Sequence, residues 1–404
     1  MAEKFEAVRV SEHVHWVGAI DWDIRDFHGY STMRGSTYNA YLVEGEDYVL
    51  IDTVKAPFRE ELMSRIASVT DPGDIRYIIS NHSEMDHSGS LPRVIADVQP
   101  EKVYASPLGV KDLEGHYHMD GVDEVKDGQS LNLGGLEFSF IETRMIHWPD
   151  SMMTYLPADR LLFSQDGFGM HLATEERFSD EVDRAVMVEE GTKYFANILT
   201  PYAPVIQKLL ARVEEMALPL DLVCPDHGPI WRGPDEFAWI VGKYHEWCAQ
   251  EPTMKAVVTY DTMWGSTERM ARAIEEGLRE SGASPVVLRL RATHRSDVVM
   301  EVLGAGALLV GSPTINNTLF PTVADLLTYM KGLKFRNLVG AAFGSFGWSG
   351  EGAREVAGYL EQMKIEQVDE PLNLKFVPDD EMLEQCRALG RKVASRLKEV
   401  AGRE

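Results

Sequence analysis

The sequence predicts two domains in tandem: an α+β or layered αββα domain over residues 1–250, then a doubly wound parallel sheet over residues 254–404. Three observations predict this. The length of 404 residues suits two or three domains at about 150 residues each. The segment Cys248–Thr253 is polar, contains Pro252 and separates a helical pattern from a new strand. All twelve histidines except His294 precede residue 250, so the two parts carry different chemistry.

The first domain is predicted from short apolar runs that are separated by glycine or acidic turns, as packed sheets require. Its expected strands are His13–Val17, Tyr38–Val43, Tyr48–Asp52, Ile75–Ser80, Lys102–Ala105, Leu136–Glu142, Met152–Leu156 and Leu161–Ser164. Its expected helices are Phe58–Ser68, Phe178–Ile198, Val205–Ala217 and Glu236–Trp247. Because these strands cluster instead of alternating strictly with helices, the pattern favours layered sheets with helices outside.

The second domain alternates strand and helix patterns regularly. Its expected strands are Ala256–Tyr260, Val286–Arg289, Ala307–Gly311 and Leu338–Phe343. Its expected helices are Ser266–Ser281, Ser296–Leu303, Thr322–Lys331, Gly352–Met363 and Asp380–Arg403. Repeated βα units predict a parallel doubly wound sheet that binds its ligands beyond the carboxyl ends of the strands.

Composition excludes several classes of protein. The 64 acidic residues outnumber the 40 basic ones, and the resulting charge of −24 repels phosphate backbones, so we expect no nucleic-acid partner. No signal-peptide pattern and no run of about 18 apolar residues occurs, which predicts a soluble cytoplasmic protein without a membrane partner. Three cysteines without a CxxC pair exclude a disulfide scaffold and an iron–sulfur cluster held by four cysteines of this chain.

The segment Asn81–Gly89 carries four potential metal ligands within six positions, directly after the apolar run that ends at Ser80. In an extended segment, residues spaced by two face the same way, so His82, Glu84 and Asp86 are expected to converge. His87 points elsewhere and is a candidate for a second metal. A polar loop with surface histidines is the alternative, which so dense a set of ligand types disfavours.

Three later residues are candidates to complete the shell. His147, Asp166 and His227 each follow an apolar run that is expected to be a strand. Ligands that all follow strand ends are typical of a site built at one rim of a sheet sandwich. As a series they fit a two-metal site with an open face, although each alone is more often structural.

These residues resemble the first motif of the metallo-β-lactamase superfamily, H-x-H-x-D-H, with Glu84 in place of the middle histidine. Asp166 stands where that resemblance places the bridging aspartate. Imidazole-rich sites suit zinc, whereas an added carboxylate hardens the ligand set and favours iron or manganese. Because the mixed N/O shell leaves open positions, we expect redox-active iron, with zinc as the alternative. His28 and His171 lie in glycine-flanked segments and are expected to line the pocket, where Tyr194 is a candidate proton or hydrogen-bond donor. For Tyr194 and His28, a packing role in the core is the alternative.

In the second domain, a strand leads through Thr262, Ser266 and Thr267 into a helix. Three hydroxyls and the backbone donors of a helix N-terminus can bind a phosphomonoester without a lysine. Two further loops of small residues follow the third and fourth strands, and aromatic residues lie among them to contact a flavin ring. This arrangement resembles a flavodoxin domain that carries FMN, although flavodoxins commonly have threonine at the position of Trp264. The expected FMN contacts are Thr262, Met263, Trp264, Gly265, Ser266, Thr267, Pro313, Thr314, Ile315, Asn316, Asn317, Ser345, Phe346, Gly347, Trp348 and Gly350.

Together the two halves resemble the flavodiiron protein family over essentially the whole chain. The resemblance implies FMN and two non-haem irons as cofactors. It implies that one iron is bound by His82, Glu84 and His147, that the other is bound by Asp86, His87 and His227, and that Asp166 bridges them. Ligation by His87 is the least certain of these, because not every family member is thought to use it.

The same resemblance implies reduction of O₂ to water, of NO to N₂O, or of both. It also implies a separate electron donor of the rubredoxin type, since no CxxC module or flavin reductase pattern follows in the sequence. We expect a head-to-tail homodimer, or a dimer of such dimers, because the short linker near Cys248–Thr253 limits how freely one chain brings its own domains together. Two alternatives stay open: a metallo-β-lactamase-type hydrolase fused to an electron-transfer domain, and a flavin electron carrier without catalytic activity.

Overall fold

The computed structural model describes residues 4–402, which form two units. The first unit comprises the residues up to Phe27, Thr32–Tyr194 and Pro204–His245. The second comprises His28–Ser31, Phe195–Ala203 and the chain from Glu246 onwards. The domain limits at residues 250 and 254 stay a prediction, and their outer ends at Met1 and Glu404 lie outside the described residues.

Seventeen strands and seven α-helices precede residue 250 in the described part of the chain. The strands are β1 (Val8–Arg9), β2 (Val14–Trp16), β3 (Ala19–Asp21), β4 (Asp26–Phe27), β5 (Tyr30–Ser31), β6 (Ser36–Tyr38), β7 (Tyr41–Glu44), β8 (Tyr48–Ile51), β9 (Ile75–Ser80), β10 (Lys102–Ala105), β11 (Val122–Glu124), β12 (Ser130–Leu133), β13 (Leu136–Glu142), β14 (Met152–Leu156), β15 (Leu161–Gln165), β16 (Leu222–Pro225) and β17 (Trp231–Arg232). The helices are α1 (Arg59–Ala67), α2 (Met85–Ser88), α3 (Leu91–Val98), α4 (Pro107–Tyr117), α5 (Arg184–Tyr194), α6 (Ala203–Met216) and α7 (Pro234–Ala249).

Two sheets form the centre of the first unit. One has the strand order β1-β2-β7-β8-β9-β10-β11, and the other has the order β12-β13-β14-β15-β16-β17. Consecutive side chains of a strand point to opposite faces, so Ile79 packs into the core between the sheets, whereas Ile78 packs against helices α1, α3 and α4. Leu162 and Val223 of the second sheet are buried as well, so both faces of this sheet are covered.

The predicted helix Phe178–Ile198 is wrong in its extent. Phe178 forms a bridge with Ile230, the α-helix runs only from Arg184 to Tyr194, and a π-helix, Phe195–Leu199, follows it. The side chain of Asp183 accepts a hydrogen bond from the backbone N–H of Ala185 (2.7 Å), which fixes the start of α5. The helical periodicity therefore extends over a segment whose first residue, Phe178, forms an isolated bridge with a residue far along the chain.

The second unit is a parallel sheet with helices. Its elements are β18 (Lys255–Tyr260), α8 (Ser266–Glu280), β19 (Ser284–Arg289), α9 (Arg295–Leu303), β20 (Ala307–Pro313), α10 (Pro321–Leu333), β21 (Val339–Phe346), α11 (Glu351–Gln362), β22 (Glu366–Gln367), β23 (Leu372–Lys375) and α12 (Asp380–Ala401). The predicted helix end at Arg403 lies outside the described residues. The strand order is β19-β18-β20-β21-β22, with β23 also beside β21, and all these pairs are parallel.

The order of these strands positions a ligand site. From β18 the chain moves first to β19 on one side and then to β20 on the other, which creates a switch point at the carboxyl ends of β18 and β20. Helices α8 and α12 pack their apolar side chains on the sheet through residues such as Ile274, Leu278 and Val393. No helix among residues 4–402 has both the length and the apolar composition that crossing a bilayer requires.

Candidate metal centre and flavin site

The ligand string after β9 is not extended throughout. The chain turns into the short helix α2 directly after Glu84, where the Ser88 hydroxyl donates to the carbonyl oxygens of Ser83 and Glu84 (2.6 and 3.0 Å). The expectation that His82, Glu84 and Asp86 converge on one face is therefore wrong for Asp86. The turn directs Asp86 and His87 to a second group of ligands.

The first group contains His82, Glu84, His147 and Asp166. Nε2 of His147 lies 3.0 Å from Oε2 of Glu84 and 2.9 Å from Oδ2 of Asp166. Nε2 of His82 lies 3.3 Å and 3.4 Å from the same two oxygens. Residues from three separate chain segments thus direct two nitrogens and two oxygens to one point.

The second group contains Asp86, His87 and His227. Nε2 of His227 lies 3.1 Å from Oδ2 of Asp86, and Nε2 of His87 lies 3.4 Å from that oxygen. Oδ1 of Asp166 lies 3.2 Å from Nε2 of His87 and 3.5 Å from Nε2 of His227. The carboxylate of Asp166 therefore presents one oxygen to each group.

The donor atoms fit metal ions. Both carboxylate oxygens of Asp86, both ring nitrogens of His87 and Oδ1 of Asp166 are buried without a hydrogen-bond partner among residues 4–402. Buried polar atoms rarely stay unpaired, because each one costs about 1–3 kcal/mol. Two N/O donor sets that contain carboxylates match iron, zinc or manganese. A metal ion in the second group would be a partner for Oδ2 of Asp86, Nε2 of His87 and Oδ1 of Asp166, the atoms that face one another.

The electric field at the site also favours cations. Burial lowers the pKa of His147, but Asp166 and Glu84 raise it more, to about 9. The pKa of His87 is likewise about 9, because Asp86 and Asp166 outweigh burial. For Asp166, burial raises the pKa, but His87, His147 and His82 hold it well below its usual range. The same negative field that retains protons on these imidazoles attracts metal ions.

Two of the predicted pocket residues, His171 and Tyr194, lie beside this cluster. The His171 ring lies 4.5 Å from that of His227, and its Nδ1 is 2.8 Å from the Ser36 hydroxyl. Burial, and then His227, lowers the pKa of His171 well below its ordinary value, so the imidazole is neutral. The Tyr194 ring lies 5.2 Å from His171 and 6.2 Å from His227. Burial, and then Asp166, raises the pKa of Tyr194, so its phenol stays protonated.

His28 belongs to a different unit from this cluster. It belongs to the segment His28–Ser31 of the second unit, is partly buried and has a left-handed backbone with φ of 55°. Its predicted place in the pocket stays a prediction.

A cleft of about 750 Å³ lies at the carboxyl ends of the strands in the second unit. Its volume is in the range of cofactor sites. Of the expected flavin contacts, those that line it are Met263, Trp264, Ser266, Pro313, Thr314, Ile315, Asn316, Asn317, Ser345, Phe346, Gly347 and Trp348. Trp264 is 93% exposed and Trp348 is 88% exposed, so two large aromatic rings stand at the rim with little protein over them.

The remaining expected contacts do not line the cleft, and their hydrogen bonds and backbone angles shape the loops next to it. The Thr262 hydroxyl accepts a hydrogen bond from the backbone N–H of Gly265 (3.0 Å). Gly265 has φ of 85°, a left-handed conformation that residues other than glycine rarely adopt. The Thr267 hydroxyl is buried and lies 2.9 Å from that of Ser345. Gly350 is the N-cap of α11, with φ of 79°. Phosphate contacts of Thr262 and Thr267 stay a prediction, since in the protein alone these hydroxyls bond to other protein groups.

Three lining residues were not anticipated: Ser349, Phe376 and Val377. Phe376 and Val377 follow β23, and both are 63% exposed. The alternating run Leu372–Lys375 is the signal that could have identified this strand, and with it a fourth strand end at the cleft.

Comparison with known proteins agrees with both halves. Residues 37–228 match the family described as ODP family beta lactamase, and residues 258–390 match the flavodoxin family. The chain is 44% identical to the rubredoxin-oxygen oxidoreductase of Megalodesulfovibrio gigas over 97% of this chain and 98% of that protein. It is 42% identical to the nitric oxide reductase of Moorella thermoacetica over 97% and 99% of the two chains.

A solved structure gives the same result. The crystal structure of the flavodiiron protein from Giardia intestinalis superposes with a TM-score of 0.95 at 33% identity, covering 100% of this chain and 99% of that one. The fold and site define a metallo-β-lactamase-like domain with a dinuclear ligand set, joined to a flavodoxin domain, which confirms the predicted fold class. The chain belongs to the flavodiiron protein family. Its cofactors are FMN and a non-haem diiron centre.

Proposed function

We propose that this protein is an oxidoreductase that reduces O₂ to water, NO to N₂O, or both, with electrons that reach the diiron centre through FMN from a separate donor. The observation that carries the proposal is the position of Asp166, whose two carboxylate oxygens each face one group of ligands. The same chain holds a flavin-sized cleft. Two similar proteins are named for these two reactions, one an oxygen oxidoreductase and one a nitric oxide reductase.

The ligand assignment is part of the proposal. His82, Glu84 and His147 hold one iron, and Asp86, His87 and His227 hold the other, with Asp166 between them. The distances within each group support this division, and they support His87 as a ligand, since its Nε2 faces both Asp86 and Asp166. When bound, the irons supply Lewis acidity and electrons for the gas, and FMN supplies electron transfer.

The chain's own residues control protons and water around that centre. Tyr194 keeps its phenolic proton and can donate a hydrogen bond toward the His171–His227 side of the cluster. His171, held neutral by burial, accepts or donates one hydrogen bond without adding charge. Phe27, whose ring is 4.7 Å from that of His171 and 6.3 Å from that of His227, contributes apolar cover. We propose that Tyr194 and His171 orient a bound gas or a water through hydrogen bonds, while solvent supplies the protons that the reaction consumes.

The test is to reduce the protein anaerobically, mix it with O₂ or with NO, and follow flavin reoxidation together with water or N₂O formation. Metal and FMN content are measured on the same sample. Asp166→Ala is expected to abolish gas-dependent reoxidation of the flavin. Its FMN content should stay unchanged, because the flavin loop belongs to a different domain. Hydrolysis of a lactam or thioester by protein that does not consume either gas would overturn the proposal in favour of a hydrolase.

We propose a rubredoxin-type protein as the donor, because a similar protein carries rubredoxin in its name. Chemically reduced rubredoxin from an anaerobe is expected to reduce the flavin of this protein faster than dithionite alone does at the same solution potential. Equal rates with rubredoxin and with an unrelated one-electron protein would contradict this choice.

We also propose a cytoplasmic location, in keeping with three cysteines that are all free thiols, and cell fractionation checks it.

We propose a head-to-tail homodimer in which the flavin of one chain serves the diiron centre of the other, with two such dimers able to associate. The exposed aromatic rings at the rim of the cleft support an occluding partner. Mixing an Asp166→Ala chain with a chain that lacks FMN is expected to restore activity, since each mixed dimer contains one intact pair of sites. Full activity of a monomer at high dilution would refute the dimer.

A further inference from the structure

A buried carboxylate lies directly behind one of the metal-facing histidines. Oδ2 of Asp150 is 3.3 Å from Nδ1 of His82, on the side of the ring opposite the ligand cluster. Asp150 is 1% exposed and His82 is fully buried. The pair is therefore shielded from water, and the contact is not a solvent-exposed ion pair.

The position of Asp150 is itself fixed by the backbone. Its Oδ2 accepts a hydrogen bond from the backbone N–H of Ser83 (2.6 Å), and its own carbonyl oxygen accepts one from the Ser106 hydroxyl (2.6 Å). Ser106 is also the N-cap of α4 and accepts from the backbone N–H of Gly109 (3.0 Å). The carboxylate thus connects the ligand loop to the start of a helix, and it has little freedom to move away from His82.

The two ring nitrogens of a histidine have opposite roles in a metal site. A proton on Nδ1 that is donated to Asp150 leaves the lone pair on Nε2, the nitrogen that faces Glu84 and Asp166. The Trp148 ring meets the His82 ring edge to face at 5.3 Å and restricts its rotation. We propose that Asp150 is a positioning residue that fixes His82 as an Nε2 ligand and so controls metal retention in the group of His82, Glu84 and His147.

The second group offers an internal comparison. Nδ1 of His227 donates to the backbone carbonyl of Thr37 (2.6 Å), which no side-chain substitution removes. Loss of Asp150 should therefore weaken only one of the two metal positions. This inference rests on the proposed dinuclear centre, and an unsubstituted protein that binds no metal would overturn both.

Two substitutions separate the hydrogen bond from the charge. Asp150→Asn keeps an oxygen in the place of Oδ2, and its amide group takes the place of Oδ1, which is buried and has no hydrogen-bond partner among residues 4–402. Both bonds to Oδ2 thus persist without the negative charge. Asp150→Ala removes both bonds. Asp112→Asn is the matched control, since it removes a nearby carboxylate that influences Asp150 and His82 only electrostatically.

The experiment uses the full-length flavin-loaded protein and measures iron per chain, zinc affinity and the histidine tautomer. Zinc-loaded protein labelled with ¹⁵N-histidine reports which nitrogen of His82 carries the proton. Asp150→Ala is expected to lose about half of its iron, to bind zinc at one position about 10- to 100-fold more weakly, and to lose the fixed His82 tautomer. Asp150→Asn and Asp112→Asn are expected to retain two metals and the Nδ1-protonated ring, and all variants should keep their FMN.

Several outcomes would overturn the proposal. Asp150→Ala with two tightly bound metals and an unchanged His82 tautomer would show that Asp150 does not position the ring. Asp150→Asn that loses as much metal as Asp150→Ala would show that the charge acts, not the hydrogen bond. If Asp150→Ala does not fold, the tautomer of Asp150→Asn decides alone, because a changed tautomer there contradicts the mechanism and an unchanged one supports it.

Discussion

The helix that carries Tyr194 contains a buried carboxyl whose ionisation should destabilise the protein as pH rises. Glu190 is 4% exposed, and burial, opposed by Lys193 and Arg34, raises its pKa from 4.5 to about 7. Between these two pH values the folded protein binds more protons than the unfolded chain does, so the free energy of unfolding falls as pH increases. The rise from 4.5 to about 7, at about 1.4 kcal/mol for each pKa unit, gives a loss of about 3.5 kcal/mol between pH 4 and pH 8.

The perturbation that tests this is Glu190→Gln, which keeps the shape and cannot ionise. Its free energy of unfolding should equal that of the unsubstituted protein near pH 4.5 and exceed it by about 3.5 kcal/mol at pH 8. Urea unfolding followed by circular dichroism across pH 4.5–8 measures the difference. Glu189→Gln is the control, because Glu189 pairs with the same Arg34 but its side chain is 51% exposed. Parallel pH profiles for Glu190→Gln and the unsubstituted protein would refute the reasoning.

Three further predictions concern the two sites. Glu84→His should raise the zinc-to-iron ratio and slow gas-dependent flavin reoxidation without loss of FMN, as metal analysis and stopped-flow absorbance will show; an iron-loaded variant with unchanged turnover would contradict it. Gly265→Ala, at φ of 85°, should weaken FMN binding about 10-fold, since a left-handed residue with a side chain costs about 1–2 kcal/mol; unchanged affinity in a fluorescence titration would contradict it. Trp348→Ala should weaken FMN binding but change the free energy of unfolding of the flavin-free protein by less than about 0.5 kcal/mol, because the ring is 88% exposed; a large loss of stability would show that it packs instead.

The elements that the sequence predicted well are those with enough residues to show a period. The strand at Ile75–Ser80 and the helix α8 carry long apolar patterns, and both appear close to their predicted bounds. The two-residue strands β1 and β17 were missed, because alternation cannot be recognised over so few positions. Helices α3 and α4 were missed as well, although Pro107 follows the N-cap Ser106, a usual signal for a helix start.

The order and type of the residues indicate the candidates for chemistry: the ligand types after each strand, the carboxylate Glu84 in place of an imidazole, and the small-residue loops of the flavin cleft. How the candidate ligands are grouped follows only from the folded chain. Asp86 joins His227, 141 positions away, because the chain turns into α2 after Glu84 and because the backbone carbonyl of Thr37 holds the His227 ring from behind. Spacing along the chain records local conformation only, whereas a metal site depends on distances between segments that the packing of the two sheets brings together.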